Sequence, residues 1–270
     1  MHTHVALAYS GTLASSAAIR WLIDTYGAEV AAVIVDVGQT DDLEEVYARA
    51  LASGAMRAHV VDRRDAFVRT AVFPALASDV ALDAEALRRL AHPVVAAALA
   101  EVAAIEGADT VAHASRDHSL DEALRRTDPA LRVVAAAREW AERGVDACEY
   151  VRMHHLSQGA LRAERHLLIR RSAPLPLRSD AAAFVTIGFD GRMPVSVNGV
   201  AMAPVELLES ASLIGGQYSL GSADAVPAPA AVLLRAAYRA SGGRGTVTLQ
   251  LQAAELAVVP EREPAPVARS

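Results

Sequence analysis

The chain has 270 residues, of which 53% are hydrophobic and only 4% aromatic, and its net charge is −6. That length accommodates one large or two modest domains with cores built from Ala, Val and Leu, and the negative balance disfavours a broad nucleic-acid footprint. Every basic side chain is arginine, which excludes a lysine nucleophile and the point charge of a Walker loop; the lone Cys148 excludes an internal disulfide.

Taken in order, Val5–Tyr9 is an apolar run of small and β-branched residues that stops at Ser10-Gly11, and helical periodicity takes over from Ser15 to Ile23. The spacing predicts a buried strand, a tight turn and a helix. Such a turn gathers free N–H groups at a helix N-terminus and suits phosphate, with the hydroxyls of Ser10, Ser15 and Ser16 as added donors; the same pattern also builds ligand-free α/β units. A second strand is expected over Glu29–Asp36, followed by a helix opened by Asp41 as N-cap, with Glu44 completing a capping box. His59–Asp62 reads as a third strand, with a helix from near Asp65. Glu85–Glu106 reads as a long helix that Pro93 kinks or splits, and strands are expected at Asp109–Ala114 and Arg132–Ala136. This alternation predicts an α/β fold, a doubly wound parallel sheet, with Ser10, Asp36 and Ala114 at the carboxyl edge where ligands bind. No GxGxxG spacing follows the first strand, so a dinucleotide-binding domain is not expected.

The pattern changes near Gly144–Ser157. Short strands are expected at Ala183–Ile187 and Pro194–Val197, joined through Asp190-Gly191 and followed by an Asn198-Gly199 turn. Helices are expected over Pro204–Ala211 and Val232–Ala240, with a strand at Thr246–Leu251. The domain reading is therefore 1–145 for the α/β half, 146–259 for a smaller α+β half, and 260–270 for a disordered tail. No apolar stretch free of charge or proline reaches membrane-spanning length, and no signal-peptide pattern opens the chain, so a cytoplasmic protein is expected.

Ala8-Tyr9-Ser10-Gly11, followed by Leu13 and Ser16, resembles the AYSGGLDTS loop of argininosuccinate synthetase. The resemblance continues through Trp21-Leu22, Asp36-Val37-Gly38-Gln39, Phe73-Pro74-Ala75-Leu76, Ala112-His113, Arg138-Glu139-Trp140 and Val197-Asn198-Gly199. It implies the ATP-pyrophosphatase version of the fold, with Ala8, Tyr9, Ser10, Gly11, Thr12, Ser15 and Ser16 around the ATP phosphates and a Mg2+ ion. Val35 and Asp36 would flank the adenosine, and Ala114 would line the same edge. The loop departs from the family at Thr12, where the second glycine stands, at Ala14, where aspartate stands, and at Ser15, where threonine stands. If Thr12 keeps the glycine's left-handed backbone, strain of about 1–2 kcal/mol and a crowded phosphate nest follow.

The resemblance also implies where amino-acid substrates would bind. Ala91-His92-Pro93 matches the family's ARP with arginine replaced by His92, and the upstream tyrosine and threonine fall on Ala84 and Arg88. The family's GxTGKGNDQ loop is replaced by Ala114-Ser115-Arg116-Asp117-His118-Ser119. Ser157 and Arg165 match a substrate-binding serine and the arginine of LWGR. His92, Ser115, Asp117, Ser157 and Arg165 are therefore the candidate substrate residues. Asp117, His118 and Asp121 form either an acid–base or metal cluster or, as preferred here, a polar loop capping a helix near Ser119. His154-His155 lacks a third metal ligand at suitable spacing. The arginines 162, 165, 170 and 171 serve a phosphate or carboxylate clamp, a solvated face or a subunit contact. The implied function is an ATP-dependent, AMP-forming carbon–nitrogen ligase by ancestry, unable to make argininosuccinate and acting on other substrates. The alternative is a non-catalytic binding, regulatory or assembly subunit. The expected partners are a small-molecule nucleotide and a second copy of the chain: the family's long tetramer-forming C-terminal helix has no counterpart, which favours a homodimer. Neither nucleic acid nor membrane is expected.

Overall fold

The computed structural model describes residues 3–39, 42–78, 82–154, 181–220, 228–252 and 254–259. The chain divides into two compact units, the first taking its described residues from Met1–Phe67 and Glu85–Leu168, the second from Val68–Ala84 and Ile169–Ser270. Residue 145, the boundary read from composition, falls inside the first unit. There α8 (Ala147–Met153) packs on α1 (Leu13–Tyr26).

In the first unit, β1 (Thr3–Ala8), β2 (Ala28–Asp36), β3 (Arg57–Asp62), β4 (Thr110–His113) and β5 (Arg132–Ala135) form one sheet in the order β3-β2-β1-β4-β5. All four pairings are parallel, with Ala8 level with Val33 on one side and His113 on the other. The order reverses between β1 and β4, which opens the crevice where doubly wound sheets bind ligands. Strand β2 is buried over nearly its whole length, as its run of Val, Ala and Ile predicts for a strand covered on both faces. One set of side chains, Val5, Leu7, Val30, Ala32 and Ile34, packs into a core with Ile19, Trp21 and Leu22 of α1 and Trp140 of α7 (Ala136–Glu142).

Helix α2 (Leu43–Ala52) is capped by Asp42, whose carboxylate accepts from the N–H groups of Glu44 and Glu45 at 3.0 and 3.3 Å. The cap is therefore one residue later than the capping-box spacing suggested. Asp41 lies outside the described residues. Helix α3 (Arg64–Phe67) leads into a π-helical turn at Val68–Val72 and α4 (Phe73–Ala77). Helix α5 (Ala84–Glu106) runs through Pro93 as one element rather than splitting there. Its C-terminal part is tied to β3 by Glu106, which accepts from Arg57 Nε at 2.8 Å and pairs with His59 Nε2 at 2.6 Å. Helix α6 (Ser119–Thr127) follows β4.

The second unit is built on an antiparallel sheet of β6 (Ala183–Asp190), β7 (Met193–Val197), β8 (Val200–Ala201), β9 (Thr246–Gln252) and β10 (Glu255–Val259), ordered β10-β9-β6-β7-β8. Asn198 and Gly199, at φ 52° and 76°, make the two-residue turn that the Asn-Gly pair predicts. The earlier turn is made by Gly191 and Arg192, at φ 52° and 71°, one residue beyond the expected Asp190-Gly191. Helices α9 (Pro204–Gln217) and α10 (Ala228–Ser241) are longer than their apolar cores implied, and β10 was not read from the sequence. Among the described residues no helix is long and apolar enough to cross a membrane.

Candidate functional site

A cavity of about 450 Å3 opens at the carboxyl edge of the parallel sheet. The strand ends supply Ala8, Val33, Val35 and His113, the loop after β1 supplies Ser10 and Thr12, the first turn of α1 supplies Ser15, and α5 supplies Arg88, Ala91, His92 and Val95. A strand–turn–helix unit puts the first-turn N–H groups of α1 at this rim, where the peptide dipoles favour an anion.

The loop's backbone is set by Gly11, at φ 71°, a conformation that a side chain disfavours. A Cβ at this position would lie 3.1 and 3.2 Å from the methyls of Val46. The Gly11 carbonyl accepts from Arg49 Nη1 at 2.8 Å, and the guanidinium, nearly fully buried, also pairs with Glu45. Thr12 does not adopt the left-handed backbone anticipated from the family's glycine. It is extended, at φ −78° and ψ 164°, and acts as the N-cap of α1, its hydroxyl accepting from Ser15 N at 3.4 Å. The expected strain is therefore absent, because the loop's positive φ sits on Gly11. The hydroxyls of Ser10, Thr12 and Ser15 lie 3.0 to 3.4 Å from one another. They form a mutually bonded cluster at the helix N-terminus, in which Ser15 Oγ donates to the Thr12 carbonyl at 2.9 Å and Thr12 Oγ1 donates to Ser15 Oγ at 3.2 Å.

Other residues named for the phosphate loop are placed differently. Ser16 is fully buried, and its hydroxyl lies 2.9 Å from Tyr9 OH, so it braces the loop from below and is not among the cavity-lining residues. Ala14 is half-buried against the core of the first unit. At the end of β2, Asp36 accepts from Gly38 N at 2.8 Å and faces Arg64 at 3.4 Å, while Val35 and Val37 line the cavity. Gln39 clamps that turn: its amide nitrogen donates to Val35 O and its amide oxygen accepts from Val37 N, both at 2.9 Å.

Beyond β4 the polar residues divide into two networks. His113 is buried and commits both ring nitrogens. Nδ1 accepts from Ser115 N at 3.2 Å, and Nε2 donates to Asp121 Oδ1 at 3.1 Å. Arg138 Nη2 donates to the same oxygen at 2.7 Å. Burial pushes the His113 imidazole below its ordinary value despite the Asp121 bond. Burial alone would raise the Asp121 carboxyl, but the bonds from Arg138 and His113 outweigh it and hold the group below the usual carboxylate range. The second network caps α6. Asp117 accepts from Ser119 N at 2.9 Å and from Ser119 Oγ at 2.7 Å, and His92 Nδ1 lies 2.6 Å from the same Oγ. Burial also pushes the His92 imidazole down. The Asp117–His118–Asp121 stretch thus serves capping and a buried ion pair. Among the described residues no group of three His, Cys, Asp or Glu side chains is arranged to hold a metal ion.

Ser115 and Ala114 line the cavity, whereas Gly11 and Asp117 are not among its lining residues. Ser157, Arg165, His155 and the other arginines of that run lie outside the described residues. His154 lies against Asp24, at 3.6 Å. Sequence reading missed the α5 wall as a unit, although Arg88, Ala91, His92 and Val95 follow the i, i+3, i+4, i+7 spacing of one helical face. The hydroxyl cluster and the helix N-terminus fit a nucleotide's phosphates, and the apolar strand ends fit a base. Among the described residues, none that lines the cavity is a carboxylate. A Mg2+ ion here would be held by the phosphates and by hydroxyls, with no acidic side chain of the lining to bind it.

Residues 4–157 match the model of the arginosuccinate synthase N-terminal HUP domain. The argininosuccinate synthase of Syntrophobacter fumaroxidans is 32% identical over 255 residues, covering 82% of this chain and 64% of the relative. That of Koribacter versatilis is 32% identical over 259 residues, covering 84% and 64%. Argininosuccinate synthase 1 of Rhizobium johnstonii is 31% identical over 301 residues, covering 93% and 74%. The chain thus spans a little under two thirds of the length of the first two. Among solved structures, the NAD+ synthetase of Burkholderia pseudomallei matches with a TM-score of 0.38 and 19% identity, covering 61% of this chain and 64% of that one.

Proposed function

The chain belongs to the argininosuccinate synthase family, and on that premise we propose that it binds ATP in the cavity at the end of β1 and uses it for AMP-forming activation of a substrate other than the citrulline–aspartate pair. One observation carries the proposal: the Gly11–Thr12 turn presents three hydroxyls and an unstrained helix N-terminus to a cavity large enough for a nucleotide. Departures from the family in this loop are therefore compatible with an anion site. In that site Ser10, Thr12 and Ser15 would hold phosphate oxygens, with Val33, Val35 and Val37 against the base. When bound, ATP supplies an electrophilic α-phosphorus and pyrophosphate as leaving group.

The change of substrate rests on α5 and the loop after β4, where Arg88, His92 and Ser115 stand in place of the family's substrate-binding pattern. A cytoplasmic homodimer belongs to the same reading. The test is substrate-dependent exchange of labelled pyrophosphate into ATP, across a panel of carboxylate, ureido and guanidino compounds. Exchange with at least one compound, and no argininosuccinate from citrulline and aspartate, supports the proposal. A second reading, a nucleotide-binding subunit without catalysis, is favoured by the lack of a carboxylate among the described lining residues and of lysine in the sequence. ATP binding with no exchange across the panel would select it.

A further inference from the structure

Within the cavity, most polar side chains outside the hydroxyl loop already have partners. Gln39 is committed at both ends to the β2 turn, and both nitrogens of His113 are committed to Ser115 and Asp121. Ser115 Oγ accepts from Asp117 N at 3.1 Å. His92 differs. It is about nine-tenths buried on α5 and lines the cavity, and among the described residues its hydrogen bond is made by Nδ1, at 2.6 Å from Ser119 Oγ.

The direction of that bond follows from the next one. A serine hydroxyl has one proton, and an ionised carboxylate accepts only. Ser119 gives its proton to Asp117 Oδ2, 2.7 Å away, so toward His92 its oxygen acts as acceptor and the ring must bring the hydrogen. His92 Nδ1 is then the N–H, and in the neutral ring Nε2 carries the lone pair. The ordinary preference of a free imidazole is overridden by a carboxylate acting through a hydroxyl.

We propose that Asp117 and Ser119 are positioning residues that lock His92 in the Nδ1–H form, so that Nε2 offers the cavity a hydrogen-bond acceptor for a hydroxyl or amino hydrogen of a bound nucleoside. The ligand class follows from the rest of the lining. Arg88 and the helix N-terminus supply donors for anions, and Nε2 supplies the complementary acceptor for the part of the ligand that is not phosphate. No covalent step is involved. The proposal rests on the ATP-binding reading for its ligand, while its tautomer is a property of the ligand-free chain.

The experiment is a long-range proton–nitrogen correlation on the full chain labelled at its histidine nitrogens, with the His92 signals assigned by their loss in His92→Phe. In the ligand-free protein at pH 7.5, Nδ1 is expected at the protonated position and Nε2 at the unprotonated one. Ser119→Ala should release the ring to a mixture of tautomers, and Ser119→Thr, which keeps the hydroxyl, should restore the lock. An Nε2–H ring in the unaltered protein, or no change in Ser119→Ala, overturns the relay. Magnesium ATP is then titrated, with magnesium tripolyphosphate as a probe lacking the nucleoside. ATP should move the Nε2 signal, and tripolyphosphate should leave it in place. His92→Phe should weaken ATP about fivefold, the change expected for one neutral hydrogen bond, and leave tripolyphosphate affinity unchanged. ATP that binds by calorimetry without moving Nε2 overturns the acceptor role. If ATP does not bind at all, the ATP-binding reading fails together with the ligand half of this proposal, and the ligand-free spectrum alone decides the relay.

Discussion

Replacing Gly11 by alanine tests the geometry on which the phosphate site depends. Two terms oppose the new methyl group. The first is conformational: at φ 71° a Cβ approaches its own carbonyl, costing about 1–2 kcal/mol. The second is packing: the methyl would meet Val46 Cγ2 at 3.1 Å and Cγ1 at 3.2 Å, on a side chain held in the core of the first unit, with Arg49 Nη1 at 3.4 Å. Overpacking of this kind costs about 1–3 kcal/mol, so the total is about 2–5 kcal/mol. Gly27 provides the internal reference. It has φ 59° at the end of α1 with nothing within 4 Å of its Cβ position, so Gly27→Ala should show the conformational term alone, about 1–2 kcal/mol. Urea unfolding followed by tryptophan fluorescence is a suitable assay, because Trp21 and Trp140 form an edge-to-face pair in the same core, 6.1 Å between centroids. The account is refuted if Gly11→Ala destabilises no more than Gly27→Ala.

Thr12→Ala should destabilise by about 1 kcal/mol through loss of the α1 cap, and Thr12→Gly by only a few tenths, with no gain in ATP affinity from either; a Thr12→Gly variant that is more stable and binds ATP tighter would restore the strained-loop picture. Arg138→Met should cost about 3 kcal/mol in the same urea experiment, since it leaves the buried Asp121 carboxylate with His113 and, at 3.7 Å, the exposed His118. A loss within 0.5 kcal/mol, the range of about ±0.5 kcal/mol typical of surface changes, would show that the ion pair contributes nothing. Acidification should act in two stages. His92 and His113 take up protons more readily unfolded than folded, so stability falls as pH drops below about 6.5 toward their depressed folded values. Asp24, Asp62, Glu106 and Asp121 bind protons less readily when folded, so their contribution is present above about pH 4 and is lost on further acidification. Stability that is flat from pH 7.5 to 5 would contradict the first stage.

The parallel sheet was legible because its strands are nearly continuous runs of Val, Ala and Ile separated by amphipathic helices, and periodicity reports exactly that contrast between buried and half-buried elements. The turn after β1 was legible as a turn, but its backbone was not. Sequence showed a threonine in a glycine's place, and only the structure shows that the left-handed residue is Gly11 and that Thr12 caps the helix. Asp41 and Asp42 are adjacent carboxylates, and spacing favours the one three residues before Glu44, whereas the helix takes the next. Strand β10 escaped notice because its apolar run, Leu256–Val259, is short and shows no alternation with polar residues, although in the structure its side chains are half-buried or exposed. At the site, long-range pairs such as Arg49 with the Gly11 carbonyl and Arg138 with Asp121 leave no local pattern. The α5 face did leave one, in the spacing of Arg88, Ala91, His92 and Val95.

The most direct test of the central claim is calorimetric titration of the full chain with ATP and magnesium at neutral pH. The account predicts one-site binding tighter than about 1 mM, a free energy more favourable than about −4 kcal/mol, weakened when Ser10 and Ser15 are both replaced by alanine. No saturable heat at several millimolar ATP, or binding that the double replacement leaves unchanged, would contradict it.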